Sequence, residues 1–273
     1  MSSPPPHVLA AFGVPGQMPV PLTGGMGTSW RAGDLVLKPA DVDQEELTWQ
    51  AQLYSRLPSR GFRLARIRPA DDGSLCVGGW SATEFVPGRH DPGRWPEIIA
   101  VGDRFHAELR AVPRPGFLDR RSSPWAVSER VAWGEAPAGT IPEMKYLPRL
   151  TAAVRPVLAA SQVIHGDLTG NVLFHEQLPP AIIDLAVYWR PAAFASAVVV
   201  ADALVWEGAD HRILRAVSHV DDFGQYLVRA LIFRVAADWL LSGGASPQKH
   251  GTGARWASAV DLACRLATSP GRD

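Results

Sequence analysis

The chain has 273 residues, 47% of them apolar and 20% charged, with a formal net charge of zero. A chain of this length buries about three quarters of its unfolded surface, as one large domain or two unequal lobes. Zero net charge excludes a broad basic field for nucleic acid and a broad acidic field for a polycation, so charge-driven recognition has to be local.

The two cysteines, Cys76 and Cys264, are far apart and lack metal-type spacing. This predicts no disulfide framework and a reducing, cytoplasmic compartment. Residues 1–16 have no positively charged n-region of the signal-peptide kind. The longest apolar stretch, 192–206, is interrupted by Asp202 and is too short to cross a bilayer. Neither a membrane nor a nucleic acid is therefore expected as a partner. Lysine is rare: only Lys38, Lys145 and Lys249 occur among 27 basic residues. A lone lysine in the first half of an arginine-preferring chain points to chemistry specific to an amine.

In chain order, residues 4–22 are proline-rich and predict an irregular lead-in. Gly24-Gly25-Met26-Gly27-Thr28 forms a glycine cluster. Two short strands follow, ending at Lys38, with turn chemistry at Ala32-Gly33-Asp34. Pairing residue 31 with 35 sets Thr28 opposite Lys38, beside the glycine loop. Leu47, Ala51 and Tyr54 recur at helical spacing and predict a helix over 41–57, with acidic residues suiting the dipole of its first turn. A second hairpin is expected from strands 64–69 and 75–85 about a turn at Asp71-Asp72-Gly73, and Pro87-Gly88 breaks its second strand. The expected division is an irregular segment 1–19, a first lobe 20–86 and a second lobe 87–273. The second lobe reads as mostly helical, with helices at 97–111, 147–160, 192–208, 222–241 and 254–267. Its one β-segment is 162–184. Asp221-Asp222 reads as a helix cap, and His106, among apolar neighbours, as a core histidine.

The chemistry concentrates in that β-segment. Gln162-Val163-Ile164 is a short strand, His165-Gly166-Asp167-Leu168-Thr169-Gly170-Asn171 a polar loop, and 172–174 and 181–183 two strands about a turn. Pairing 174 with 181 brings Asn171 opposite Asp184, with Cβ atoms about 5 Å apart. Two oxygen-bearing side chains then meet at one end of a hairpin, with Asp167 in the loop before it. Magnesium takes such oxygen ligands, usually one or two carboxylates plus substrate phosphates. Asn171 and Asp184 are the expected metal ligands. Asp167 is the expected catalytic base. His165 is compatible with a ligand or base role, but no other ligand has suitable spacing, which favours a structural role.

These residues resemble the aminoglycoside phosphotransferase and choline kinase branch of the protein kinase-like superfamily. The resemblance is carried by Val163-Ile164-His165-Gly166-Asp167-Leu168, Asn171-Val172-Leu173, Ile182-Ile183-Asp184 and Leu37-Lys38 after the glycine loop. Phe105-His106-Ala107-Glu108-Leu109 and Thr83-Glu84-Phe85-Val86-Pro87-Gly88 add to it. It spans roughly residues 20–240 and in detail looks closest to an uncharacterised actinobacterial group. It implies an α+β, two-lobed protein kinase-like fold, with a small antiparallel-sheet N-lobe and a larger, mostly helical C-lobe. It also implies ATP and magnesium as cofactors, held in a cleft between the lobes, and phosphoryl transfer to a small-molecule hydroxyl. Lys38 would contact the α- and β-phosphates and pair with Glu46 or its neighbour Glu45. Gly25, Gly27 and Thr28 would line the phosphates, and backbone groups of Glu84, Phe85 and Val86 would hold adenine. Asp202 matches a buried aspartate that braces the catalytic loop. The chain departs from the pattern in two places. Asp167 to Asn171 is four positions where relatives have five, and Gly170 is the residue able to absorb the loss with a positive φ. Leu185 to Pro191 is not the usual continuation, and leaves Arg190 facing a phosphate or the surface. The competing classes are a nucleotide-binding pseudokinase and a protein-binding scaffold. From residue 190 onward there are eight acidic and nine basic residues, which disfavours a polycationic antibiotic as acceptor.

Overall fold

A computed structural model describes residues 2–23, 27–136, 139–142, 144–243 and 253–268. The chain forms two compact units, Met1–His90 with Gly170–Leu185, and Asp91–Thr169 with Ala186–Asp273. Residues 170–185, which chain order assigns to the second lobe, thus cluster with the first unit.

The lead-in is not irregular throughout. It contains a helix, α1 (Pro6–Ala11), whose first position tolerates proline because that backbone nitrogen has no intrahelical acceptor. Val8 and Leu9 of α1, with Phe12 and Val14, are buried in one cluster with Leu35, Leu37, Trp80 and Ala82. Apolar burial, at about 25 cal/mol per Å², overrides the turn signal of the prolines. Next come β1 (Val20–Pro21), β2 (Trp30–Ala32), β3 (Leu35–Pro39), the helix α2 (Gln44–Arg56), β4 (Arg63–Leu64), β5 (Ile67–Arg68) and β6 (Trp80–Glu84). The order β1-β2-β3-β6-β5 gives a five-stranded sheet, antiparallel at every pairing. β2 and β3 pair with Arg31 against Val36 and Ala32 against Leu35. The turn is therefore the two-residue Gly33-Asp34, and the register is shifted by one from the expected pairing of 31 with 35. Continued, it sets Ser29 rather than Thr28 opposite Lys38. The strand expected at 64–69 is divided: β5 pairs with β6, whereas β4 joins another sheet.

The second unit begins with α3 (Trp95–Leu109), α4 (Pro124–Ala132), α5 (Leu147–Ala153) and β7 (Gln162–His165). α5 stops well short of residue 160; Arg155 precedes Pro156, and a residue before proline is pushed out of helical geometry. β8 (Val172–Leu173) and β9 (Ala181–Ile182) return to the first unit, where β9 pairs in parallel with β4. The chain closes with β10 (Val187–Arg190), α6 (Ala192–Asp202), α7 (Phe223–Leu241) and α8 (Gly253–Thr268). β10, absent from the expected elements, pairs antiparallel with β7, Val187 facing His165 and Arg190 facing Gln162. α7 is buried all round from Phe223 to Ala237. Its polar residues are accordingly bonded inside: Gln225 donates to the carbonyls of Ala153 and Ala267 and accepts from the Arg155 N–H. No helix among the described residues is long and apolar enough to cross a membrane.

Candidate active site

In the first unit the site starts from β3. Leu35 and Leu37 point into the cluster beneath α1, so the alternation of the strand sends Lys38 to the opposite face. There its ammonium meets the Asp184 carboxylate and lies 3.3 Å from Asp41. Burial alone would lower the Lys38 pKa, but the Asp184 and then the Asp41 carboxylates outweigh it and raise it. Asp184 is half exposed and has a φ of 50°, one of only two positive-φ non-glycine residues among those described. Such a conformation costs an L-residue about 1–2 kcal/mol, and strain of this kind concentrates at functional sites.

Asn171 is not opposite Asp184. Val172 faces Ile182 and Leu173 faces Ala181, and the Ile183 N–H donates to the Asn171 carbonyl at 3.0 Å. Asn171 is thus paired with Ile183, next to Asp184. The shift has a cause distant in the chain. Phe174 leaves the ribbon to exchange two backbone hydrogen bonds with Arg89, at 2.8 and 3.0 Å. The turn must then close one residue earlier. Gly170 has a φ of 80°, the conformation the shortened loop requires.

Glu46, at the start of α2, is buried and accepts from Gln50 Nε2 at 3.3 Å. Gln50 also donates to the Leu185 carbonyl at 3.3 Å, tying α2 to the residue after Asp184. The carboxylates that pair with Lys38 here are those of Asp41 and Asp184. Glu84 and Phe85 donate their N–H groups to the carbonyls of Arg66 and Asp34, at 2.8 and 2.7 Å. The Phe85 ring lies under the Arg31 guanidinium at 3.7 Å, and Val86 is half-buried. Gly27 is exposed at a φ of 68° and Thr28 is half-buried. Gly25 lies outside the described residues.

In the second unit, β7 delivers the loop that carries Asp167. The His165 N–H donates to His106 Nε2 at 3.1 Å, and the Asp167 N–H donates to His165 Nδ1 at 3.2 Å. Both imidazoles are buried, so His165 braces the loop. Burial, reinforced by His165, pushes the His106 pKa down to about 3. A Cβ on Gly166 would lie 2.4 Å from Tyr188 Cδ2; only glycine lets the loop run against that ring. Asp167 Oδ1 accepts from Arg234 Nη2 at 2.6 Å. Arg234 also grips the buried Asp202, with Nε 2.7 Å from Oδ1 and Nη2 on Oδ2. Burial would lower the Arg234 pKa, but Asp202 and then Asp167 raise it; burial raises that of Asp202 against the pull of Arg234. Asp202 therefore reaches Asp167 through an arginine that sequence reasoning missed. The available signal was a charge inside the apolar run 231–237.

Arg190 is engaged inside the second unit rather than turned to open surface. It pairs with Glu129 and forks onto Glu135 at 2.7 and 2.5 Å, with its guanidinium 4.7 Å from the Trp133 ring. These acids and Tyr188 line a cavity of about 300 Å³. Its three carboxylates, Asp119, Glu129 and Glu135, face four arginines, Arg114, Arg121, Arg130 and Arg190.

No protein-family model matches the sequence, and a search of curated proteins finds no match. Solved structures do match along nearly the whole chain. An aminoglycoside phosphotransferase from Alicyclobacillus acidocaldarius is 15% identical, covers 98% of this chain and 96% of its own, and has a TM-score of 0.58. A choline/ethanolamine kinase family protein from Mesorhizobium loti is 14% identical, with coverage of 94% and 90% and a TM-score of 0.58. A spectinomycin phosphotransferase, solved with ADP and spectinomycin, is 14% identical, with coverage of 96% and 95% and a TM-score of 0.53. The antiparallel sheet with its lysine strand, the helical second unit and these likenesses agree: the chain has the α+β fold of the aminoglycoside phosphotransferase and choline kinase branch of the kinase-like proteins.

Proposed function

We propose that the protein is an ATP- and magnesium-dependent phosphotransferase acting on a hydroxyl of a small molecule. The observation that carries this reading is the convergence of Lys38, from a sheet strand, on Asp184, a strained aspartate 146 residues away. Phosphoryl transfer needs positioning and charge neutralisation more than covalent chemistry. In this reading Lys38 holds the α- and β-phosphates, with Gly25, Gly27 and Thr28 alongside and Glu46 supporting α2. The Glu84 and Phe85 N–H groups are engaged within the unit, so the Val86 N–H is the donor assigned to adenine.

Asn171 and Asp184 offer an amide oxygen and a carboxylate, hard donors that suit magnesium. The Lys38 ammonium on Asp184 marks a place that attracts a cation. The donor chemistry fits the metal. Asp184 lies beyond β9 at a φ of 50°, so strand alternation does not fix the direction of its carboxylate. Magnesium bound there would neutralise phosphate charge. Asp167 takes the proton of the acceptor hydroxyl as the new O–P bond forms and the bond to the bridging oxygen breaks, releasing a nucleoside diphosphate. The acceptor is assigned to the cavity beside Tyr188, whose carboxylates are outnumbered by arginines and so suit a compact polar molecule rather than a polycation. The unpaired cysteines fit a reducing cytoplasm. The fold relatives named above include phosphotransferases, one of them with ADP bound, which supports the reaction class.

Two measurements test this. ATP with magnesium at about 100 times its dissociation constant should stabilise the protein by about 2.7 kcal/mol, several degrees in a thermal melt. No shift with any nucleotide, with or without metal, sinks the reading. Asp167→Asn should lower turnover at least about 10²-fold with nucleotide affinity kept. Unchanged turnover would remove Asp167 as the base.

A further inference from the structure

Arg234 is buried in α7 and makes three charge-assisted hydrogen bonds, two to Asp202 and one to Asp167. Neutralising Asp202 does not by itself explain it. A buried ion pair is often replaced by apolar residues without loss of stability, and the residues flanking this pair, 198–201 on α6 and 230–233 and 235–237 on α7, are apolar. The third bond is what an apolar pair could not supply. It leaves the core and ends on the half-exposed carboxylate of Asp167. The guanidinium is also fixed in place, with the rings of Phe233, Trp206 and Trp125 at 5.1, 5.8 and 5.9 Å. A planar fork can hold one aspartate side-on and a second at its end; a lysine ammonium has neither the reach nor the planarity.

We infer that Arg234 is a positioning residue for the base. Asp202 fixes the fork, and the fork holds Asp167 Oδ1, which sets the orientation of the whole carboxylate. The proton of the attacking hydroxyl goes to this carboxylate while Oδ1 keeps its bond to Arg234, and the electron pair of the broken P–O bond leaves on the nucleoside diphosphate. The inference rests on the reading of Asp167 as base.

The test uses ATP hydrolysis with water as acceptor, so no acceptor has to be known. Arg234→Lys keeps the charge and loses the fork. The double variant Asp202→Asn/Arg234→Gln replaces both charges by amides that can still bond each other, which protects the fold if the single change does not. A reacting group misplaced by about 1 Å costs about 10²-fold in rate, so kcat should fall by about that factor in either variant, with KM for ATP and the nucleotide-induced thermal shift unchanged. A purely structural role predicts instead a lowered melting temperature with kcat of the folded fraction intact. Wild-type kcat in a folded variant of either kind overturns the positioning role alone. A wild-type chain that binds ATP but never turns it over overturns the base and its positioning together.

Discussion

At position 166 a Cβ would meet the Tyr188 ring at 2.4 and 2.7 Å, closer than any packed carbon tolerates. The ring is buried on β10 and the Gly166 N–H is bonded to the Ala186 carbonyl at 2.9 Å, so neither side can easily withdraw. Gly166→Ala should therefore destabilise the protein by about 1–3 kcal/mol, read as a lower denaturant midpoint; an unchanged midpoint would show that the loop can move off the ring. Residues differ in how far they announce themselves in sequence. Lys38 stands out because lysine is rare here, and Asp167 because its neighbours form a motif. Arg234 does not, because arginine is the ordinary cation of this chain and its partners lie 67 and 32 residues away.

The elements show where periodicity suffices. α2 has apolar residues at helical spacing, two glutamates in its first turn, and Asp43 as N-cap accepting from the Glu46 N–H at 2.8 Å. Asp43→Ala should cost about 1 kcal/mol in a denaturant titration, and no loss would mean the first turn is held by packing alone. Registers were less legible. Two of the three expected hairpins are shifted by one residue from the pairing that turn composition predicts, and such a shift exchanges the two faces of a strand. In one, two residues suffice for the turn at Gly33-Asp34. In the other, the backbone of Phe174 is claimed by Arg89, 85 residues earlier in the chain. Local turn chemistry carries no information about such a partner.

For the whole molecule, acid is the expected weak point. His106 is buried and its pKa lies at about 3, far below the 6.5 of an unfolded imidazole. Below pH 6.5 the unfolded chain binds a proton that the folded chain refuses. The stability from keeping this ring neutral is thus full above that pH and is lost as pH falls, by up to about 1.4 kcal/mol per pH unit from this residue. Denaturant midpoints at pH 7, 6 and 5 should fall in that order and fall less in His106→Gln, whose amide oxygen can still accept the His165 N–H. Equal slopes in the two proteins would remove His106 as the cause. By itself the sequence determined the fold class, the lysine strand, the polar loop carrying Asp167 and the helical second half, because periodicity, glycine placement and short motifs are local properties of the chain. Tertiary structure alone decided that α1 joins the core of the first unit, that residues 170–185 belong to that unit, that Asn171 pairs with Ile183, and that Arg234 links Asp202 to Asp167. Each depends on which distant groups compete for one backbone hydrogen bond, one apolar surface or one charge, a competition settled only when the chain has folded.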